Sequence, residues 1–255
     1  MATTWHIRLA GLLGLGLLVG ATPPATSPAA KAPSSMDEPL RLLAEARKAY
    51  AAVDDYTCTL IKRERLDGQS VPTESVIAMA VRARPFSVNL RWQEPRDLVG
   101  QEACYVEGKN NGKMRVRPAG ALGALGFITL DPNDARARRN SRHAITEAGL
   151  GNLLERYAVH WEEERKLNRT TVHVADYEYN KRRCVRVETV HPAKNDGQFS
   201  FYRNVVYFDK ETHLPVRVEC YDWPRYEGDK GEAVEVYSYV NLRLNVGLGD
   251  AQFNK

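Results

Sequence analysis

Period-two apolar runs lie on both sides of one long helical stripe, and strands and helices do not alternate regularly. That order constrains the fold of the 255 residues more than any other feature. Regular strand–helix alternation would build a parallel, doubly wound sheet; strands, then helices, then strands build an antiparallel α+β domain. The clearest strand is Phe86, Val88, Leu90 and Trp92 alternating with Ser87, Asn89 and Arg91, which predicts one buried face. Before it, residues 55–66 and 75–81 read as strands, the first ending at the hairpin signal Asp67-Gly68. After it, residues 102–107 and 113–117 flank a turn from Gly108 to Gly112. Beyond the helix, strands are expected over 171–177, 183–190, 199–209, 214–223 and 234–244.

Two helices accompany them. Residues 37–53 carry Leu40, Leu43, Ala46, Tyr50 and Val53 at helical spacing, with Asp37 and Glu38 favouring the first turn. Residues 146–166 place Leu150, Leu153, Leu154, Tyr157 and Trp161 on one face, a stripe expected to pack on the sheet. Thr146 is expected to cap this helix and Glu147 to suit its dipole. Between the two strand groups, residues 119–134 are rich in Gly and Leu and end in the turn Asp131-Pro132-Asn133.

The chain begins with an address. Arg8, an uncharged run from Leu9 to Val19, and the small residues Val19-Gly20-Ala21 have the layout of a secretory signal peptide cleaved after Ala21. The apolar run is about half the length a transmembrane helix needs. No membrane span is therefore expected in the mature form, and the cell envelope or periplasm is the expected location. Residues 22–36 are a Pro/Ala/Ser-rich linker, and one domain is expected over 37–255.

Composition narrows the partners. Basic residues number 36 against 32 acidic, a net +4 spread along the chain, which gives no nucleic-acid signature. Cys58, Cys104, Cys184 and Cys220 fit neither a zinc site nor a redox motif, and export favours disulfides, with Cys184–Cys220 the preferred pair. Buried thiols are the alternative. No cofactor or metal is implied. The sequon Asn168-Arg-Thr170 reads as chance.

Several stretches resemble a family of exported bacterial proteins of unknown function. They are Tyr56 to Gly68, Arg84 to Trp92, Tyr105 to Gly108, Asn140 to Gly149 and Tyr239 to Leu248, in the same order. The resemblance implies a LolA/LolB-like lipoprotein-localisation fold: a curved antiparallel sheet forming an open half-barrel, capped by helices. It also implies a carrier holding acyl chains in an apolar cavity, although no ligand residue transfers from it.

Three functions compete. The first is a periplasmic binding or carrier protein for a lipid, lipoprotein or other amphiphile, not an enzyme. Phe86, Val88, Leu90, Trp92, Met79, Met114 and Phe127 would line its site. Arg136, Arg138, Arg139, Arg142 and His143 would hold a head group or form a lid. The second is an envelope module binding polysaccharide or protein through exposed Trp and Tyr. The third is a hydrolase using His143 and Glu147, for which the chain offers no nucleophile elbow, metalloprotease or P-loop motif.

Overall fold

A computed structural model describes residues 36–66 and 71–255. The expected signal peptide, the linker up to residue 35 and the Asp67-Gly68 turn lie outside the described residues. Helix α1 (Asp37–Tyr50) leads into strands β1 (Asp55–Glu64), β2 (Thr73–Arg82), β3 (Ser87–Glu94), β4 (Glu102–Val106), β5 (Met114–Arg117) and β6 (Ile128–Leu130). Helices α2 (Ala135–Arg138) and α3 (Leu150–Leu167) follow. The chain then adds β7 (Thr171–Tyr179), β8 (Arg182–Val190), β9 (Arg203–Asp209), β10 (Pro215–Tyr221) and β11 (Ala233–Leu244).

All eleven strands form one antiparallel sheet in the order 6-5-4-3-2-1-11-10-9-8-7, with both edges open. Each neighbour is also a neighbour in sequence except at the centre, where β1 pairs β11 from Tyr56↔Leu244 to Glu64↔Glu235. The sheet is thus two meanders sewn together along one seam. It is the open half-barrel of an α+β fold.

This topology forces a crossing. The chain leaves at β6 on one edge and re-enters at β7 on the other, so residues 131–170 must return across the sheet. Helix α3 has 18 residues, about 27 Å at 1.5 Å per residue. Strands spaced about 4.8 Å apart let such a helix cover five or six of eleven. It begins over the centre, where the Leu150 N–H donates to the Tyr56 hydroxyl at 2.8 Å. It ends over the far meander, where Trp161 meets Phe208 with ring centroids 6.3 Å apart. The near meander is left to the irregular segment 131–149.

The start of α3 differs from expectation. Residues Ile145–Glu147 form a separate single turn, Ala148 is extended, and the cap is Gly149 at φ 91. A side chain on Gly149 would stand 2.8 Å from the Tyr56 hydroxyl, the group that satisfies the first helical N–H. A tyrosine from the sheet therefore does the work expected of Thr146. At the other end Asn168 adopts the left-handed conformation that closes a helix, a structural reason for an asparagine within the sequon.

The stripe Leu150, Leu153, Leu154, Tyr157 and Trp161 is buried as expected. On β3 the expected polar face departs from its pattern: Ser87 and Asn89 are buried and only Arg91 is exposed. The C-terminal segment covers them, with Asn89 Nδ2 donating to the Gln252 carbonyl at 3.1 Å. Phe253 packs there on Cys104 and Val106.

All four cysteines are free and buried. The Cys184–Cys220 pair does not form. Cys184 opposes Asp209 of β9 and Cys220 opposes Asn204, five residues apart along that strand and on opposite faces of the sheet. Burial pushes the Cys58 thiol up to about 12 and the Cys104 thiol to about 11.

Candidate functional site

Under the near meander lies a cavity of about 500 Å³. Its wall follows the strand register. Leu90 of β3 sits opposite Ala103 of β4, which sits opposite Val116 of β5, which sits opposite Ile128 of β6. All four line the cavity, joined by Trp92, Met114 and Leu130 from the same strands and by Leu60, Ile77 and Tyr239 toward the centre. The segment from Pro132 to Gly149 closes it from above through Ala137, Ala144, Ile145 and Ala148. Small residues in this cover leave the space that α3 fills elsewhere.

Of the expected lining, Leu90, Trp92 and Met114 face the cavity. Val88 and Met79 are buried in the core beside it and do not line it. Phe86 precedes β3 and packs on Tyr105, with centroids 6.1 Å apart. Phe127 turns away, and the Arg117 guanidinium lies 5.4 Å over its ring. Alternation along one strand picks out the correct face, but only register across strands identifies Leu60, Ile77, Ala103, Val116 and Leu130.

The arginine cluster divides. Arg136 and Arg139 stand at the cavity, Arg136 paired with Asp134 at 2.8 Å. Arg138 donates to the Arg142 carbonyl at 2.7 Å instead. Arg142 turns inward, its Nε donating to Glu235 at 2.7 Å and one Nη to the Arg65 carbonyl at 3.0 Å.

His143 sits between two carboxylates. Its Nδ1 is 3.0 Å from Glu147 and its Nε2 is 3.0 Å from Glu235. Burial by itself lowers its pKa, but the Glu235 and Glu147 carboxylates outweigh that and hold it above the usual histidine value. Burial likewise raises Glu235, and His143 and Arg142 outweigh it to bring the carboxyl below the usual range. Beside them Glu64, almost wholly buried, accepts from the Tyr237 hydroxyl, from Lys62 Nζ at 2.9 Å and from the Arg142 N–H at 3.2 Å. Lys62 also donates to the Asn140 carbonyl at 2.7 Å. These groups form a polar seam that clamps the cover segment to β1 and β11. With a carboxylate on each ring nitrogen, His143 has no open position for acid–base work on a substrate. Among the described residues no group of three His, Cys, Asp or Glu side chains has a metal-binding arrangement.

Beyond this seam a second cavity, about 340 Å³, lies between the later turns of α3, the connection from β8 to β9 and strands β9–β11. His143, Arg156 and Tyr237 line both cavities and separate them. Sequence reasoning singled out His143 for chemistry; its place is in the partition.

The described residues thus form one unclosed antiparallel sheet with helices crossing one face. Residues 53–255 match the model of the family described as protein of unknown function, DUF1571, and the chain belongs to that family. Similar solved structures include the lipoprotein LppX of Mycobacterium tuberculosis, at 12% identity over 84% of this chain and 98% of that one, TM-score 0.48. A LolA superfamily protein of Nitrosomonas europaea shares 13% identity over 84% and 96% of the chains, TM-score 0.37. A putative outer membrane lipoprotein-sorting protein domain of Vibrio parahaemolyticus shares 14% over 86% and 97%, TM-score 0.41. No curated protein matches the sequence.

Proposed function

We propose that the protein binds or carries an amphiphile, a lipid or the acyl part of a lipoprotein, in the envelope, with the acyl chain in the cavity beneath β1–β6. The cavity carries this reading: about 500 Å³ walled by Leu60, Ile77, Leu90, Trp92, Met114 and Leu130, with the seam groups Lys62, Glu64 and His143 also lining it. That size lies in the range of small-molecule sites, and such a mixed lining suits a chain with one polar end. Each buried methylene gains about 0.8 kcal/mol, so roughly ten could offset a large part of the association cost. Trp92 and Trp161 point inward and are buried, which favours this reading over an aromatic glycan-binding surface.

Titration of a fluorescent fatty acid tests it, using wild type, Leu90→Glu and Ala103→Phe. Saturable binding in wild type that both variants lose is expected. Equal binding by all three would sink the site, and native mass spectrometry of protein taken from its own envelope would show what co-purifies.

A further inference from the structure

The exposed surface contains one segment that water should disfavour. Residues 119–128, between β5 and β6, read Ala-Gly-Ala-Leu-Gly-Ala-Leu-Gly-Phe-Ile, without one charged or hydrogen-bonding side chain. Leu122 is 64% exposed and Leu125 is 81% exposed, and Ile128 follows at 45%. Gly120–Leu125 form one short 3-10 helix that carries both leucines. Large apolar side chains clustered on one exposed loop are a mark of a partner surface.

Two further observations identify the partner. First, the loop is continuous with the cavity, because Leu122 and Ile128 are both exposed and both line it. Leu122 and Ile128 thus share one cavity lining with Leu90 and Met114. Second, basic residues flank the loop in sequence: Arg115 and Arg117 precede it, and Arg136, Arg138 and Arg139 follow, with Arg117 paired to Glu102 at 2.9 Å and Arg136 to Asp134 at 2.8 Å. Arg138 and Arg139 have no ion-pair partner among the described residues. An apolar tip flanked in sequence by basic residues, Arg138 and Arg139 among them without an ion-pair partner, complements a lipid surface with anionic head groups.

We propose that residues 119–128 are a membrane-docking loop, which seats the cavity mouth on an anionic bilayer so that an acyl chain passes between bilayer and cavity without crossing water. The proposal deepens the carrier reading and rests on it for the route, but its docking step is measured separately. Insertion buries Leu122 and Leu125 among acyl chains, while the arginines stay at head-group level.

The experiment uses the full chain bearing Leu125→Cys, labelled with an environment-sensitive dye. The four native thiols are buried and stay unlabelled in the folded protein. Val159→Cys, on an exposed position of α3, is the control. With vesicles containing phosphatidylglycerol, the dye at 125 should brighten and shift to the blue, and the dye at 159 should not. The response should weaken severalfold on pure phosphatidylcholine or at high salt. Leu125→Ser, at a position outside the cavity lining, should lower vesicle partitioning severalfold, yet leave fatty-acid titration from solution intact.

No response at 125 on anionic vesicles overturns the proposal. An equal response on phosphatidylcholine overturns the role of the arginines, and a response to protein concentration without lipid assigns the loop to a second copy of the chain. If fatty-acid binding is absent while the dye responds, the cavity reading fails and the docking loop stands. The reverse result leaves the cavity and removes the loop.

Discussion

The two meanders of the sheet are built from strands of the same kind, yet one stands over a cavity of about 500 Å³ and the other over a smaller one of about 340 Å³. Over β7–β11, Tyr157 and Trp161 of α3 reach into the sheet, their rings 5.1 Å apart at a near-perpendicular angle, with Trp161 against Phe208. Over β1–β6, the cover presents Ala137, Ala144 and Ala148 instead. The strands do not decide which half holds the roomier cavity. The difference comes from what crosses above them: a regular helix too short to span the whole sheet, and an irregular segment of small residues completing the journey.

Truncation where α3 packs on the far half should break that contrast hardest. Trp161→Ala removes a side chain that is 1% exposed and should cost about 3–5 kcal/mol in chemical denaturation. Ile128→Ala, at the cavity mouth, should stay within about 0.5 kcal/mol of wild type. Similar losses at both positions would mean that the near half is packed like the far one. Next in size is the clamp between the halves. Glu64→Ala leaves Lys62 buried without its carboxylate and should cost about 3–5 kcal/mol, read from the same unfolding curves. A neutral result would show that the seam does not hold the cover down.

Filling the hollow sharpens the comparison without unfolding anything. Ala103→Phe occupies cavity space, so fatty-acid affinity should fall at least about tenfold, or about 1.4 kcal/mol, while the melting midpoint holds. The smallest effect is that of pH on the seam. His143 has a folded pKa above its ordinary 6.5, so its stabilisation is fully present below that value. It is lost as pH rises through the folded value. Glu235 is displaced downward from 4.5, so its contribution is present above that value and fades in acid. The melting gap between wild type and His143→Gln should therefore be widest between about 4.5 and 6.5 and shrink toward alkaline pH. A gap independent of pH would remove His143 from the clamp.

Much of this architecture is legible in the residues. The strand–helix–strand order, the helical stripe from Leu150 to Trp161 and the buried face of β3 all follow from periodicity. The site is legible only in part. Leu90, Trp92 and Met114 lie on a face that alternation reveals, whereas Ala103 and Val116 belong to the wall through pairing across strands. Phe86 and Phe127 have the right chemistry, but turns beside their strands aim them elsewhere. The burial of Ser87 and Asn89 depends on a C-terminal segment more than 150 positions away. No local pattern encodes such a cover. The cysteines make the same point: export suggests pairing, and the sheet puts Cys184 and Cys220 on opposite faces.

The single long-range ladder at the middle of the sheet sets an order of events for the newborn chain. Every other strand finds its partner one hairpin away, so each meander can zip up as soon as its own residues are available. The β1–β11 ladder pairs Tyr56 with Leu244 and must wait for the last strand to emerge. Until then β1 presents a bare edge, and Lys62, Arg63 and Glu64 along it are the kind of charged residues that discourage pairing with a stranger. Glu235, which bonds Arg142 and His143 of the cover, arrives on that same final strand. The lid is therefore fastened only when the chain is nearly complete, and a molecule truncated before β11 should have two folded flanks and no closed chamber.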